Sequence, residues 1–207
     1  MTTPVEAGSL AQPPPSLADS IVIVSGLPRS GTSLLMTMLK AGGMPILTDG
    51  LRAPDPDNPN GYFEDARVKL LRTDHAWLLE ARGKAVKIVV PLLFHLPETL
   101  LSRILFIERD LDEVIASQTA MLARQGIQPK LAPDILKAAF QRQLNEARQF
   151  LRGSPRRMAL TLIYQHVLDN PAATATAIAG FLGADLPVSR MAAVVDLALH
   201  RQRKSVP

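Results

Sequence analysis

Residues 21–41, IVIVSGLPRSGTSLLMTMLKA, constrain the fold more than any other stretch. Residues 21–24 are an unbroken run of β-branched apolar side chains, the pattern of a short strand buried on both faces. Residues 25–31 then bring two glycines and Pro28, which a strand cannot absorb. From Thr32 the apolar residues Leu34, Leu35, Met38 and Leu39 recur at helical spacing, and Gly42-Gly43 supply the stop. Strand, tight loop and helix in this order aim backbone N–H groups, backed by the positive end of a helix dipole, at one spot. A phosphate fits there, and Arg29, Ser30, Thr32 and Ser33 add charge and hydroxyl donors. The competing reading is a glycine-containing turn that binds nothing; so dense a cluster of donors weighs against it.

The loop nearly spells the nucleotide-triphosphate signature G-x-x-x-x-G-K-[ST]. Gly26, Gly31 and Ser33 are in place, but Thr32 stands where the lysine would be. That lysine reaches the β- and γ-phosphates, so its absence counts against an ATPase or kinase. The basic residue is Arg29, inside the loop, which suits a donor with a single 5′-phosphate and one transferable group. PRSGTS at residues 28–33 resembles the 5′-phosphosulfate loop of sulfotransferases that use 3′-phosphoadenosine 5′-phosphosulfate (PAPS). The resemblance implies that Arg29, Ser30, Gly31, Thr32 and Ser33 hold the 5′-phosphosulfate, with Arg29 against the bridging oxygen of the leaving group.

Strands and helices alternate along the rest of the chain. Strands are expected at residues 85–90, 104–107 and 158–163, with a short one at 44–47. Helices are expected at 64–80, from Asp110 or Asp112 onward, and at 134–151, 174–182 and 189–199. The pattern predicts an α/β fold, a three-layer α/β/α sandwich around a parallel sheet, P-loop NTPase-like. Arg109 stands at the exit of the 104–107 strand. Ser117 lies about two helical turns beyond Asp110, so both side chains can face one point above the carboxyl ends of the strands. RDLDEVIAS at residues 109–117 resembles the family's 3′-phosphate motif, and arginine's planar fork suits that group. This reading needs two anion sites, at the first strand–helix junction and at Arg109, far enough apart to hold both ends of one nucleotide.

Glu64 follows a long loop, residues 48–61, rich in proline, aspartate and asparagine. It is either a first-turn acid favouring a helix dipole or a general base for an acceptor hydroxyl; GYFE at residues 61–64 is similar to the glutamate-base segment of some bacterial and Golgi-type sulfotransferases. Lys87 matches the lysine of the Lys-x-His pair of the cytosolic enzymes, but Val89 replaces the histidine, which raises Glu64. Lys87 would neutralise the transferring group; the plain alternative is a strand-edge lysine. His95 is the next base candidate. LIYQHVLDNPAATATAIAGFLG at residues 162–183 also resembles the family and implies that Tyr164 lies near the nucleotide, although His166 replaces the usual acid. No G-x-x-G-x-x-K loop follows; Arg201, Arg203 and Lys204 could stand in for it or form a solvated basic tail.

At 207 residues the chain is most simply one domain from residue 20, after a Pro/Ala/Ser-rich flexible leader over residues 1–19. It has no cysteine, which excludes disulfides and thiolate sites and fits a cytoplasmic protein. The net charge of +4 favours anionic ligands. Basic residues are dispersed and aromatics make up 4%, so nucleic acid is not the expected partner. No apolar run approaches the length of a membrane span. Transfer of a sulfuryl group from PAPS to a hydroxyl or amine on a small-molecule or glycan acceptor, leaving PAP and needing no metal, is the expected function. A small-molecule kinase and a non-catalytic nucleotide-binding module are the alternatives. The acceptor pocket is expected from residues 48–61 and 126–150.

Overall fold

The computed structural model describes residues 16–55 and 58–199. Strand β1 (Ile21–Gly26) is buried at all six positions, as its β-branched run requires. It pairs in parallel with β2 (Ala85–Lys87) on one side and β3 (Ser102–Glu108) on the other, and β3 pairs in parallel with β4 (Arg157–Ile163). The sheet order is β2-β1-β3-β4. Parallel neighbours cannot be joined by a hairpin, so the chain crosses over between them. The crossings and the C-terminal part carry helices α1 (Thr32–Ala41), α2 (Val90–Leu93), α3 (Leu111–Arg124), α4 (Pro133–Arg152), α5 (Tyr164–Asp169), α6 (Pro171–Leu182) and α7 (Val188–Ala193).

The two-residue period of a strand divides the core between the two faces of the sheet. Ile21, Ile23, Ile104 and Phe106 pack with Val114 and Ile115 of α3 and with Phe140 and Leu144 of α4. Val22, Val24, Leu105 and Ile107 pack with Leu35 and Met38 of α1, Ile178 of α6 and Met191 of α7. The molecule is therefore the expected α/β/α sandwich on a parallel sheet. Among the described residues no helix is long and apolar enough to cross a membrane.

Several elements differ from expectation, each for a local reason. Residues 44–47 make one bridge, Ile46 to Ala85, rather than a strand; Pro45 has no N–H with which to extend a ladder. Residues 64–80 form two separate 3-10 turns, Ala66–Leu70 and Ala76–Ala81. Asp65 caps the first, accepting from Arg67 N at 3.0 Å, and Asp74 accepts from Ala76 N at 2.9 Å ahead of the second. Short polar side chains that bond the backbone in this way compete with a continuous helix. Strand β2 ends at Lys87, and the chain turns into α2 with Pro91 in its first turn, where the missing N–H costs nothing. Helix α7 stops at Ala193, and Asp196 starts a further 3-10 turn, Leu197–Leu199. At the end of the expected leader, Leu17–Asp19 make one 3-10 turn capped by Ser16; residues 1–15 lie outside the described residues, as do Arg201, Arg203 and Lys204.

Candidate active site

Because all four strands run the same way, the residues that follow them gather along one edge of the sheet. There lie the loop after β1, Lys87 at the last position of β2, Arg109 just past β3, and Tyr164 just past β4. They line a cleft of about 470 Å³.

The loop is wound tightly enough to require its glycines. A Cβ on Gly26 would come within 2.5 Å of Ser30 Oγ and 2.6 Å of the Ile107 carbonyl oxygen. A Cβ on Gly31, where φ is 108°, would stand 2.6 Å from a ring carbon of Tyr164. Arg29 takes a positive φ of 69°, and successive backbone reversals of this kind shape a concave nest of N–H groups. Gly31, Thr32 and Ser33 face the cleft at the start of α1. Ser30 does not: its Oγ is buried beneath the loop with no hydrogen-bond partner among the described residues, so its side chain takes no part in the cleft wall.

Arg29 and the Arg109 pair meet. Arg29 Nε donates to Ser117 Oγ at 3.0 Å, and Arg109 Nη1 donates to the Arg29 carbonyl at 3.2 Å. The Arg109 guanidinium lies 4.4 Å from the centroid of the Tyr164 ring. Its Nε also donates to Glu113 Oε2 at 2.8 Å, one helical turn on, with both side chains nearly buried. Arg109 is thus at the mouth of the first turn and ion-paired at once. The two anion sites, expected apart, are contiguous.

Glu64 stands across the cleft. Its backbone carbonyl accepts from Asp49 N at 3.0 Å and from Thr48 Oγ1 at 2.8 Å, which ties the end of the long loop to its beginning. Its Oε1 lies 3.4 Å from Lys87 Nζ and 3.3 Å from Arg52 Nη1. Lys87 Nζ also donates to the Tyr62 carbonyl. Burial lowers the Lys87 pKa, with the Glu64 carboxylate acting in the opposite direction. Phe63, next to Glu64, has φ 51°; it and Arg29 are the two non-glycine residues with positive φ among those described. Both adjoin the cleft, where such strain tends to collect.

Residues of the 48–61 stretch line the cleft, namely Arg52, Asn58, Pro59 and Asn60, with Asn58 Nδ2 donating to Ser33 Oγ at 2.8 Å, and Tyr62 follows them. No period runs through a loop, so no signal marked which of its residues would face the cleft. Arg124 lines the cleft with Ser117, Ala120 and Met121, one face of α3 at helical spacing, and that stripe could have been read. The expected contribution of residues 126–150 is absent; the lining from this part of the chain ends at Gln125, and α4 spends Phe140, Leu144, Ala147 and Leu151 on the core. His95 is exposed and outside the cleft, its carbonyl 3.0 Å from His75 Nε2.

No protein-family model and no curated protein matches the sequence. Solved structures do match. The sulfotransferase domain of the Synechococcus PCC 7002 olefin synthase superposes with a TM-score of 0.55 at 17% identity, over 95% of this chain and 87% of that one. The sulfotransferase domain of the curacin biosynthetic pathway gives 0.52 at 14% identity, over 93% and 94%. The chain has the sulfotransferase fold. Retinol dehydratase, solved with androsterone and the inactive cofactor PAP, shares this sulfotransferase fold with a TM-score of 0.53 at 19% identity, over 90% of this chain and 66% of that one. Identity this low leaves the architecture as what is held in common, and the reading of the cleft falls to its own residues.

Proposed function

We propose that the protein transfers a sulfuryl group from PAPS to a hydroxyl or amine, releasing PAP. The observation that carries this reading is the contiguous cluster of Arg29, Arg109, Ser117 and Tyr164 at the carboxyl ends of β1, β3 and β4. The 3′- and 5′-phosphate groups of the donor hang from one ribose, so neighbouring anion sites can take both, and the sites need not stand as far apart as the sequence reading required. The donor set fits: three cations (Arg29, Lys87 and Arg109), the hydroxyls of Thr32, Ser33 and Ser117, and the N-terminus of a ten-residue helix. Thr32 in place of a lysine disfavours a triphosphate. Structures of the same fold that hold PAP lend the reading weight.

PAPS when bound supplies the sulfuryl group, with PAP as leaving group. Arg109 and Ser117 hold the 3′-phosphate and so select this nucleotide over ATP. Gly31, Thr32 and Ser33 hold the 5′-phosphate. Arg29 and Lys87 both line the cleft and would stabilise the charge that develops on the leaving group of the bound donor, a contribution that preset cations make without reorganisation. Glu64 takes the proton of the acceptor as the new sulfur–oxygen or sulfur–nitrogen bond forms.

Calorimetry with PAP and with ATP, on wild type and Glu64→Gln, tests the assignment. PAP should bind at least about tenfold more tightly than ATP, the value of one extra charge-assisted contact. Glu64→Gln should keep PAP affinity and lose about 10²–10⁴-fold in transfer. Equal affinity for ATP removes the donor; full activity in Glu64→Gln removes the base; PAP binding without turnover on any acceptor leaves a binding module.

A further inference from the structure

We infer that the acceptor carries an oxyanion, a carboxylate or a phosphate, beside the group it offers, and that Arg52 holds that oxyanion. The inference rests on Glu64 and the PAPS-binding cluster having the roles proposed above. The Arg52 guanidinium carbon lies over Tyr62, 3.3 Å from the ring centroid. Tyr62 is buried and its hydroxyl is anchored to Asp55 Oδ2 at 2.7 Å, so the platform is fixed. A stacked guanidinium keeps its edge free for a planar two-point contact. Arg52 uses that edge on protein once, in the 3.3 Å contact to Glu64 Oε1, and its other N–H groups find no acceptor among the described residues.

A structural ion pair looks different in the same segment. Three residues beyond Glu64, Arg67 grips Asp65 with Nε at 3.0 Å and Nη2 at 2.9 Å, a two-point pair on a buried carboxylate. Arg52 makes one 3.3 Å contact, its side chain is 42% exposed, and it lines the cleft, which leaves room for a stronger partner. Its position fixes where that partner sits: an oxyanion on Arg52 puts the neighbouring hydroxyl or amine beside Glu64. Asn60 lines the same wall, its side-chain amide without a hydrogen bond among the described residues. As the oxyanion takes Arg52 and the donor takes Lys87, each cation is drawn off the Glu64 carboxylate, leaving its lone pairs to the acceptor's proton.

The test uses the full chain loaded with PAP, whose binding is measured first; if PAP does not bind, the functional reading fails before this one is reached. The loaded protein is then titrated with 4-hydroxybenzoate, 4-hydroxyphenylacetate and 4-hydroxyphenyl phosphate, and with the methyl esters of the two acids and unsubstituted phenol as neutral counterparts. At least one anion should bind about tenfold or more tightly than its neutral counterpart, as a new charge-assisted fork implies. The carboxylate and phosphate arms show which oxyanion it is. The preference should vanish in Arg52→Ala and be reduced in Arg52→Lys, which keeps the charge but not the fork. PAP affinity in each variant reports that it is folded. No binding by any anion, equal affinity for neutral counterparts, or a preference that survives Arg52→Ala overturns the inference.

Discussion

Lys87 shows at the residue scale how position sets chemistry. It closes β2 with 7% of its side chain exposed, and burial pulls its pKa down while Glu64 pulls it up. Between the folded value and the higher unfolded one, the unfolded chain binds more protons. The fold therefore gains stability from this group as pH rises through that window. Over the same window the cation facing the donor is lost. PAP affinity in wild type should accordingly fall at a pH below the range in which an ordinary lysine titrates. Lys87→Met should bind PAP about 10–100-fold more weakly near neutral pH, the value of a lost charge-assisted contact, and should lack that alkaline limb. A limb that persists in Lys87→Met belongs to another group.

The two 3-10 turns after Glu64 act as one brace at the scale of elements. Arg67 grips Asp65 within the first turn, reaches Glu80 Oε2 at 2.7 Å, and lies 5.5 Å from the Trp77 ring centroid, so it ties the first turn to the second through two side chains. Arg67 holds the Asp65 carboxyl below the usual aspartate range. A carboxylate with a depressed folded pKa stabilises the fold above its unfolded pKa, and that stability is lost as pH falls through the folded value; for Asp65 this is strongly acid solution. Asp65→Ala should cost about 1–2 kcal/mol of stability through the lost cap, and should lower kcat through a misplaced Glu64 while PAP affinity stays near wild type. A loss of PAP affinity equal to the loss of kcat would contradict this division of labour. The brace was not legible in the sequence, because apolar spacing at Val68, Leu71 and Leu78 reads as one helix and only the caps at Asp65 and Asp74 break it. Strand β1, its loop and α1 were legible, since a β-branched run, two glycines and a helical period agree there. Arg29, Lys87, Arg109 and Tyr164 were legible for a shared reason: each sits at or just after a strand end, and parallel strands deliver their ends to one place. Arg52 lies in a loop whose place in the pocket was expected but whose lack of a period hid which residue would matter, Tyr62 follows that loop, and Glu113 was hidden as one more first-turn acid. The contact between Arg29 and Ser117 follows from tertiary packing that no local pattern encodes.

The cleft draws on every layer of the whole molecule, so a ligand that fills it stabilises the fold entire. PAP at about 100 times its Kd should add about 2.7 kcal/mol. For a chain of this length that raises the thermal midpoint by about 5–10 °C. ATP at the same concentration should raise it far less; equal shifts, or none with PAP, would contradict the cluster as the nucleotide site. The pairing of β1 with β3 carries one further consequence. Arg29 reaches Ser117 across 88 positions of chain, and Arg109 reaches the Arg29 carbonyl across 80. Such distant partners come together only after the costliest loop closures are complete. A nucleotide therefore cannot template the early collapse of this chain: added to a refolding mixture it leaves the rate of collapse alone and slows the escape from the finished state.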